Sequence, residues 1–161
     1  MAAFRNVPEE WQRLDWILFQ NGWVSLYQRK EILIADISWF RSQRYRVIDF
    51  DCSKWADEHA AHSDLKAKFH FPDSYANTPG ALRDALAAHD ITGIGQVVVL
   101  HQFDAVDQEL GQSLLNSFAD SARLHMLRGE RLLVLAQLNT PENSYITAGK
   151  STVSWNPLEL L

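Results

Sequence analysis

The chain is poor in the features that mark several large protein classes. It has one cysteine, Cys52, among 161 residues, which rules out an intrachain disulfide and a cysteine-rich zinc site. Lysine and arginine are not clustered and the net charge is −5, so the counterion release that drives nonspecific binding to nucleic acid is not available. An acidic surface suits water or a basic partner. The opening MAAFRNVPEEWQRLDW carries acids and no apolar run long enough for a signal peptide or a membrane helix, which makes the cytoplasm the expected compartment and leaves no membrane partner to expect. No P-loop and no nucleophile-elbow motif occurs, and Gly93-Ile-Gly95 precedes an apolar run instead of following one, so it reads as a turn and not as a dinucleotide loop. Repeats and low-complexity segments are also missing.

What is present points to a folded domain. Aliphatic and aromatic residues make up 47% against 22% charged, enough apolar material for one core without cross-links. Trp16-Ile-Leu-Phe, the turn Asn21-Gly22 and Trp23-Val-Ser-Leu-Tyr27 read as a hairpin. A helix follows over 31–43. Arg46 to Phe50 reads as a strand, and Ser53 as the N-cap of a helix to about Lys68 whose stripe is Trp55, Ala56, His59, Ala60 and Leu65. Gln96 to Leu100 is a continuous apolar run of the kind a strand covered on both faces needs. A long helix over 107–128, stopped by Gly129, precedes a last strand over 131–136. Strands separated by helices imply right-handed crossovers, hence an α/β fold with a three-stranded parallel sheet near 46–50, 96–101 and 131–137. The expected organisation is an N-terminal hairpin and helix extension over 1–44, a core domain over 45–138, and an irregular tail over 139–161 anchored by Trp155.

The most legible stretch is Phe69 to His89, FHFPDSYANTPGALRDALAAH. Thr78 is a good N-cap and Pro79 suits the first helical position, so a short helix starts at residue 79. Ala81, Leu82, Ala85 and Leu86 share one face, which leaves Arg83 and Asp84 toward the border or the solvent. Phe71, Pro72, Tyr75, Ala81, Leu82, Asp84 and Leu86 resemble the barstar family of intracellular ribonuclease inhibitors, whose pattern runs roughly FPxYYGxNxDALxDxL, and the order of elements over about 45–138 fits it.

The resemblance implies a barstar-like fold, no catalytic activity and no cofactor. It also implies a basic ribonuclease or ribonuclease-like toxin as partner, as for an immunity protein or antitoxin. Asp84 matches the family's central inhibitory aspartate, and Asp120 falls where the family has a glutamate. Ser74, Gly80 and Arg83 stand where it has a tyrosine, a second aspartate and a tryptophan. With Asp73, Tyr75 and Asn77 these are the candidate partner-binding residues. Arg83 puts a cation beside Asp84, although the two point in different directions and need not pair.

Each of these residues also has a plain structural reading. Asp84 and Asp120 can be solvated helix residues, and Tyr75 can pack under the turn and bond through its hydroxyl. His59 and His62, three apart, permit two metal ligands on one helical face, but no third has a motif, so no metal is expected. Cys52 reads as an inert buried thiol. Two other functions remain open on the same residues. One is a small-molecule-binding or catalytic α/β protein with a concave site at the strand ends near 49–51 and 101–104. The other is a non-inhibitory scaffold. The sequence leaves the oligomeric state unassigned.

Overall fold

The computed structural model describes residues 2–161. In chain order the elements are α1 (Pro8–Trp11), α2 (Leu14–Phe19), β1 (Val24–Tyr27), α3 (Lys30–Ser42), β2 (Arg46–Asp51), α4 (Glu58–Phe69), α5 (Pro79–Ala88), β3 (Gln96–His101), α6 (Gln108–Leu127), β4 (Leu132–Gln137), β5 (Thr147–Ala148), β6 (Ser151–Thr152) and β7 (Ser154–Trp155). The order β2-β3-β4-β1-β7 makes one five-stranded sheet, parallel throughout. β5 and β6 form a separate antiparallel hairpin.

The period of two in a strand divides the core into two layers. Val98 and Leu100 of β3 join Leu65 of α4, Leu82 of α5 and Phe118 of α6 on one face. Val97 and Val99 join Leu18 of α2 and Leu33 and Phe40 of α3 on the other. Both faces of β3 are therefore apolar, which is why it reads as an unbroken run. The α/β class and the parallel sheet agree with the sequence pattern, and three of the helices fall where spacing put them. α5 begins at Pro79 with Thr78 Oγ1 accepting from Ala81 N at 3.1 Å. Asp107 caps α6 by accepting from Glu109 N and Leu110 N.

Four expectations are corrected. The N-terminal hairpin is not formed: Trp16 to Phe19 lies in α2, with Leu18 buried, and Asn21-Gly22 joins a helix to a strand. All four residues of β1 are buried, a demand that a two-stranded hairpin cannot meet, and β1 instead enters the sheet between β4 and β7. Gly22 is needed at that turn, since its φ is +104° and a Cβ would come within 2.7 Å of Thr152 O. Second, the sheet has five strands instead of three, because β1 and β7 come from outside the stretch that carries the strand pattern.

Third, residues 139–161 are not irregular. They hold the β5–β6 hairpin and β7, and Asn156 Nδ2 donates to Tyr27 Oη at 3.1 Å and to Asp36 Oδ2 at 2.8 Å. Fourth, α4 starts at Glu58, not at Ser53. Residues Cys52–Lys54 form a 3-10 turn under Asp51, and Asp57 Oδ1 accepts from Ala60 N at 2.8 Å. The later start rotates the buried stripe to Ala61, His62, Leu65 and Phe69.

Candidate partner-binding surface

α5 and α6 lie side by side and are clamped at both ends. At one end Ser117 Oγ donates to Pro79 O at 3.0 Å. At the other, His125 Nε2 meets Leu86 O at 2.7 Å and an Arg128 guanidinium N–H donates to Ala87 O at 2.7 Å. Leu82 and Leu86 turn into the core, so the remaining faces of the two helices look outward together. Between them runs an open groove of about 310 Å³, with Gly80 and Arg83 on the α5 side and Glu109, Ser113, Asn116 and Asp120 on the α6 side. It adjoins a second hollow of about 470 Å³ bordered by Trp55, Asp57, Glu58, Asp107 and Glu109.

The carboxylate of Asp84 is 78% exposed and lies 3.6 Å from the Arg83 guanidinium, itself 50% exposed. The two therefore do pair, although their spacing did not require it. An exposed ion pair of this kind contributes about 0–1 kcal/mol, so a partner's guanidinium can take Asp84 from Arg83 at small cost. A Cβ added at Gly80 meets nothing within 4 Å. Asp120 is half-buried, and a Cβ at Gly149 would lie 2.5 Å from its Oδ1.

The loop before α5 is held from beneath. Tyr75 Oη lies 2.5 Å from His62 Nδ1, and Asn77 Nδ2 lies 3.2 Å from His59 Nδ1. Burial pushes the Tyr75 hydroxyl up to about 12 and pulls the His62 imidazole below its ordinary value. The neutral imidazole therefore accepts from the phenol, leaving its Nε2 facing Glu58 Oε1 at 3.7 Å. Asp73 and Ser74 are exposed at the tip. The structure thus places Asp73, Ser74, Gly80, Arg83 and Asp84 on an open face, whereas Tyr75 and Asn77 are engaged in fixing that face to α4. Glu109, Ser113 and Asn116 were missed by sequence reasoning. The available signal was their recurrence with Asp120 at helical spacing on the polar side of α6.

At the carboxyl ends of β2 and β3, Asp49 holds His101 Nε2 at 2.8 Å and Arg41 at 3.2 Å. The three border an open hollow of about 380 Å³ with Ile34 and Ile37. Cys52 is fully buried, and burial pushes its thiol well above the ordinary range, so it supplies no nucleophile there. His59 and His62 serve the loop. Among the described residues no group of three or more His, Cys, Asp or Glu side chains is placed to hold a metal ion.

The two clamped helices, with the loop ahead of them, fall inside one matched stretch: the family described as Barstar (barnase inhibitor) matches residues 45–137. The chain belongs to the barstar family. No curated protein matches it. It is similar to a chain in a solved structure of Drosophila ORC bound to AT-rich DNA and Cdc6, with a TM-score of 0.48 and 13% identity over 90% of this chain and 54% of that one. That likeness is too loose to carry a functional argument. The barstar match covers β2 through β4 and leaves β1 and β7, which complete the sheet, outside it.

Proposed function

We propose that this barstar-family chain is a non-catalytic binding module that blocks the basic cleft of a ribonuclease or ribonuclease-like toxin in the cytoplasm. The observation that carries the proposal is the exposed Asp84 on α5, standing beside a groove whose far wall bears Glu109 and Asp120. A ribonuclease gathers cations around the scissile phosphate, and carboxylates on two fixed helices supply the complementary charge without a loop having to order. Arg83 sets the specificity. A partner must offer a cation that outcompetes it for Asp84 and tolerate the guanidinium that is displaced.

The test is a titration of the protein and its Asp84→Ala variant against a barnase-type ribonuclease, following RNA cleavage. Stoichiometric inhibition by the parent and its loss in the variant is expected, with association slowed by added salt as opposite charges are screened. Inhibition that survives unchanged in the variant removes Asp84 from the mechanism. Among the described residues no helix is long and apolar enough to cross a membrane.

A further inference from the structure

Beside the proposed partner surface, residues beyond the family match pack along α6. The backbone of residues 144–149 runs along α6 and is held by side-chain amides one helical turn apart. Gln108 Nε2 donates to Ser144 O at 3.4 Å, Gln112 Nε2 donates to Thr147 O at 2.7 Å, and Asn116 Oδ1 accepts from Gly149 N at 2.8 Å. Tyr145 and Ala148 are buried beneath this segment. A Cβ at Gly111 would lie 2.0 Å from Tyr145 Oη, so that glycine makes room for the ring. Gly149 has φ +59° and sits against the Asp120 carboxylate. The hairpin is therefore fixed to the helix and lies close beside one of the acids of the proposed site. Its outward apolar residue is Ile146, 81% exposed, with Thr147, Lys150 and Thr152 also exposed around it.

The position of this hairpin follows from the helical period. At about 100° per residue, Gln112, Asn116 and Ala119 fall on one flank of α6, and Ser117 and His125, which bond to α5, fall on the other. Glu109, Ser113 and Asp120 form the crest between. α5, α6 and the hairpin thus lie next to one another, and each helix is about 10 Å wide with its side chains. An interface of ordinary size takes about 800 Å² from each partner, a patch roughly 30 Å across. A protein seated on α5 and α6 reaches the hairpin.

Resting on the function proposed above, we infer that the β5–β6 hairpin, led by Ile146, is a specificity-determining part of the same partner surface. The partner it selects is a basic protein whose cationic cleft is bordered by an apolar patch that covers Ile146. The exposed isoleucine on a fixed frame supplies apolar contact at small ordering cost, next to charges that supply steering.

The test measures dissociation constants for a barnase-type ribonuclease with Ile146→Asn and with Ile34→Asn, a control at an exposed isoleucine of α3, across the sheet from α5 and α6. Neutral replacements keep steering constant. Ile146→Asn is expected to weaken binding about tenfold with the melting temperature unchanged, and Ile34→Asn to bind as the parent does. Hydrogen exchange of the complex is expected to show new protection over residues 144–150. Parent-like affinity of Ile146→Asn, or no new protection there while Asp84→Ala still weakens binding, overturns the inference and leaves the function proposed above standing. Absence of binding by the unaltered protein overturns both.

Discussion

On the α2–α3 side of the sheet, Asp15 and Asp36 are buried among hydrogen-bond donors, whereas on the α5–α6 side Asp84 stands in solvent with Arg83 beside it. Asp15 accepts from Tyr45 Oη at 2.5 Å and Trp16 N at 2.9 Å, and ion-pairs with Arg13 at 3.1 Å and Arg131 at 3.3 Å. Asp36 accepts from Tyr27 Oη at 2.6 Å as well as from Asn156, and burial raises its carboxyl above the usual range. A buried carboxylate must be satisfied within the chain, and its partners then serve the fold alone. An exposed one keeps its lone pairs for water or for another molecule. Residue type is the same on both sides, and the surroundings assign the role.

Removing Asp15 is the strongest way to break this contrast. Asp15→Ala leaves Tyr45, Arg13 and Arg131 without their shared acceptor, and a loss of about 3 kcal/mol or more is expected in denaturant unfolding; a loss below about 1 kcal/mol would mean that the network is not structural. Asp84→Ala is expected to do the reverse, weakening binding to a basic ribonuclease by on the order of 2 kcal/mol while unfolding stays within about 0.5 kcal/mol of the parent. Calorimetric titration and a melt on the same samples check both halves.

Gly80→Asp sharpens the picture from the other direction. The added Cβ meets no neighbour, a helical glycine is replaced, and a negative charge is placed near the α5 N-terminus, so stability should rise by about 0.5–1 kcal/mol. Affinity for the same ribonuclease should rise with it, and weaker binding would show that the partner does not address this end of α5.

The smallest effect is expected at His62, which joins the exposed face to the core. Its folded value lies below the ordinary 6.5 because of burial, so the unfolded chain takes up this proton first as pH falls. Stability is thus lost on acidification between 6.5 and the lowered folded value. His62→Gln should lack this component, visible as a flatter stability profile in unfolding curves collected across that range. A variant profile parallel to the parent's would assign the acid sensitivity to other groups.

Much of this was legible in residue order. The Thr78-Pro79 start of α5, the Gly129 stop of α6 and the apolar run Val97 to Leu100 of β3 rest on interactions between near neighbours or on burial of every side chain in the run, and such signals survive in a single chain. The outward position of Asp84 followed for the same reason, since Leu82 and Leu86 fix which way α5 faces.

Tertiary structure alone supplied the rest. Trp16-Ile-Leu-Phe and Val-Ser-Leu-Tyr27 are both short apolar runs, and only the free edge of β4 and the apolar floor under α2 make one a strand and the other a helix. β7 pairs over two residues and is held by Asn156 reaching Asp36, a contact 120 residues apart in the chain. The pairing of the α6 polar stripe with the hairpin depends likewise on amides meeting distant backbone carbonyls. Local sequence therefore determined which faces of α5 and α6 are polar. Long-range packing, whose partners are chosen by burial of the whole sheet, decided what stands beside those faces and which carboxylates remain free.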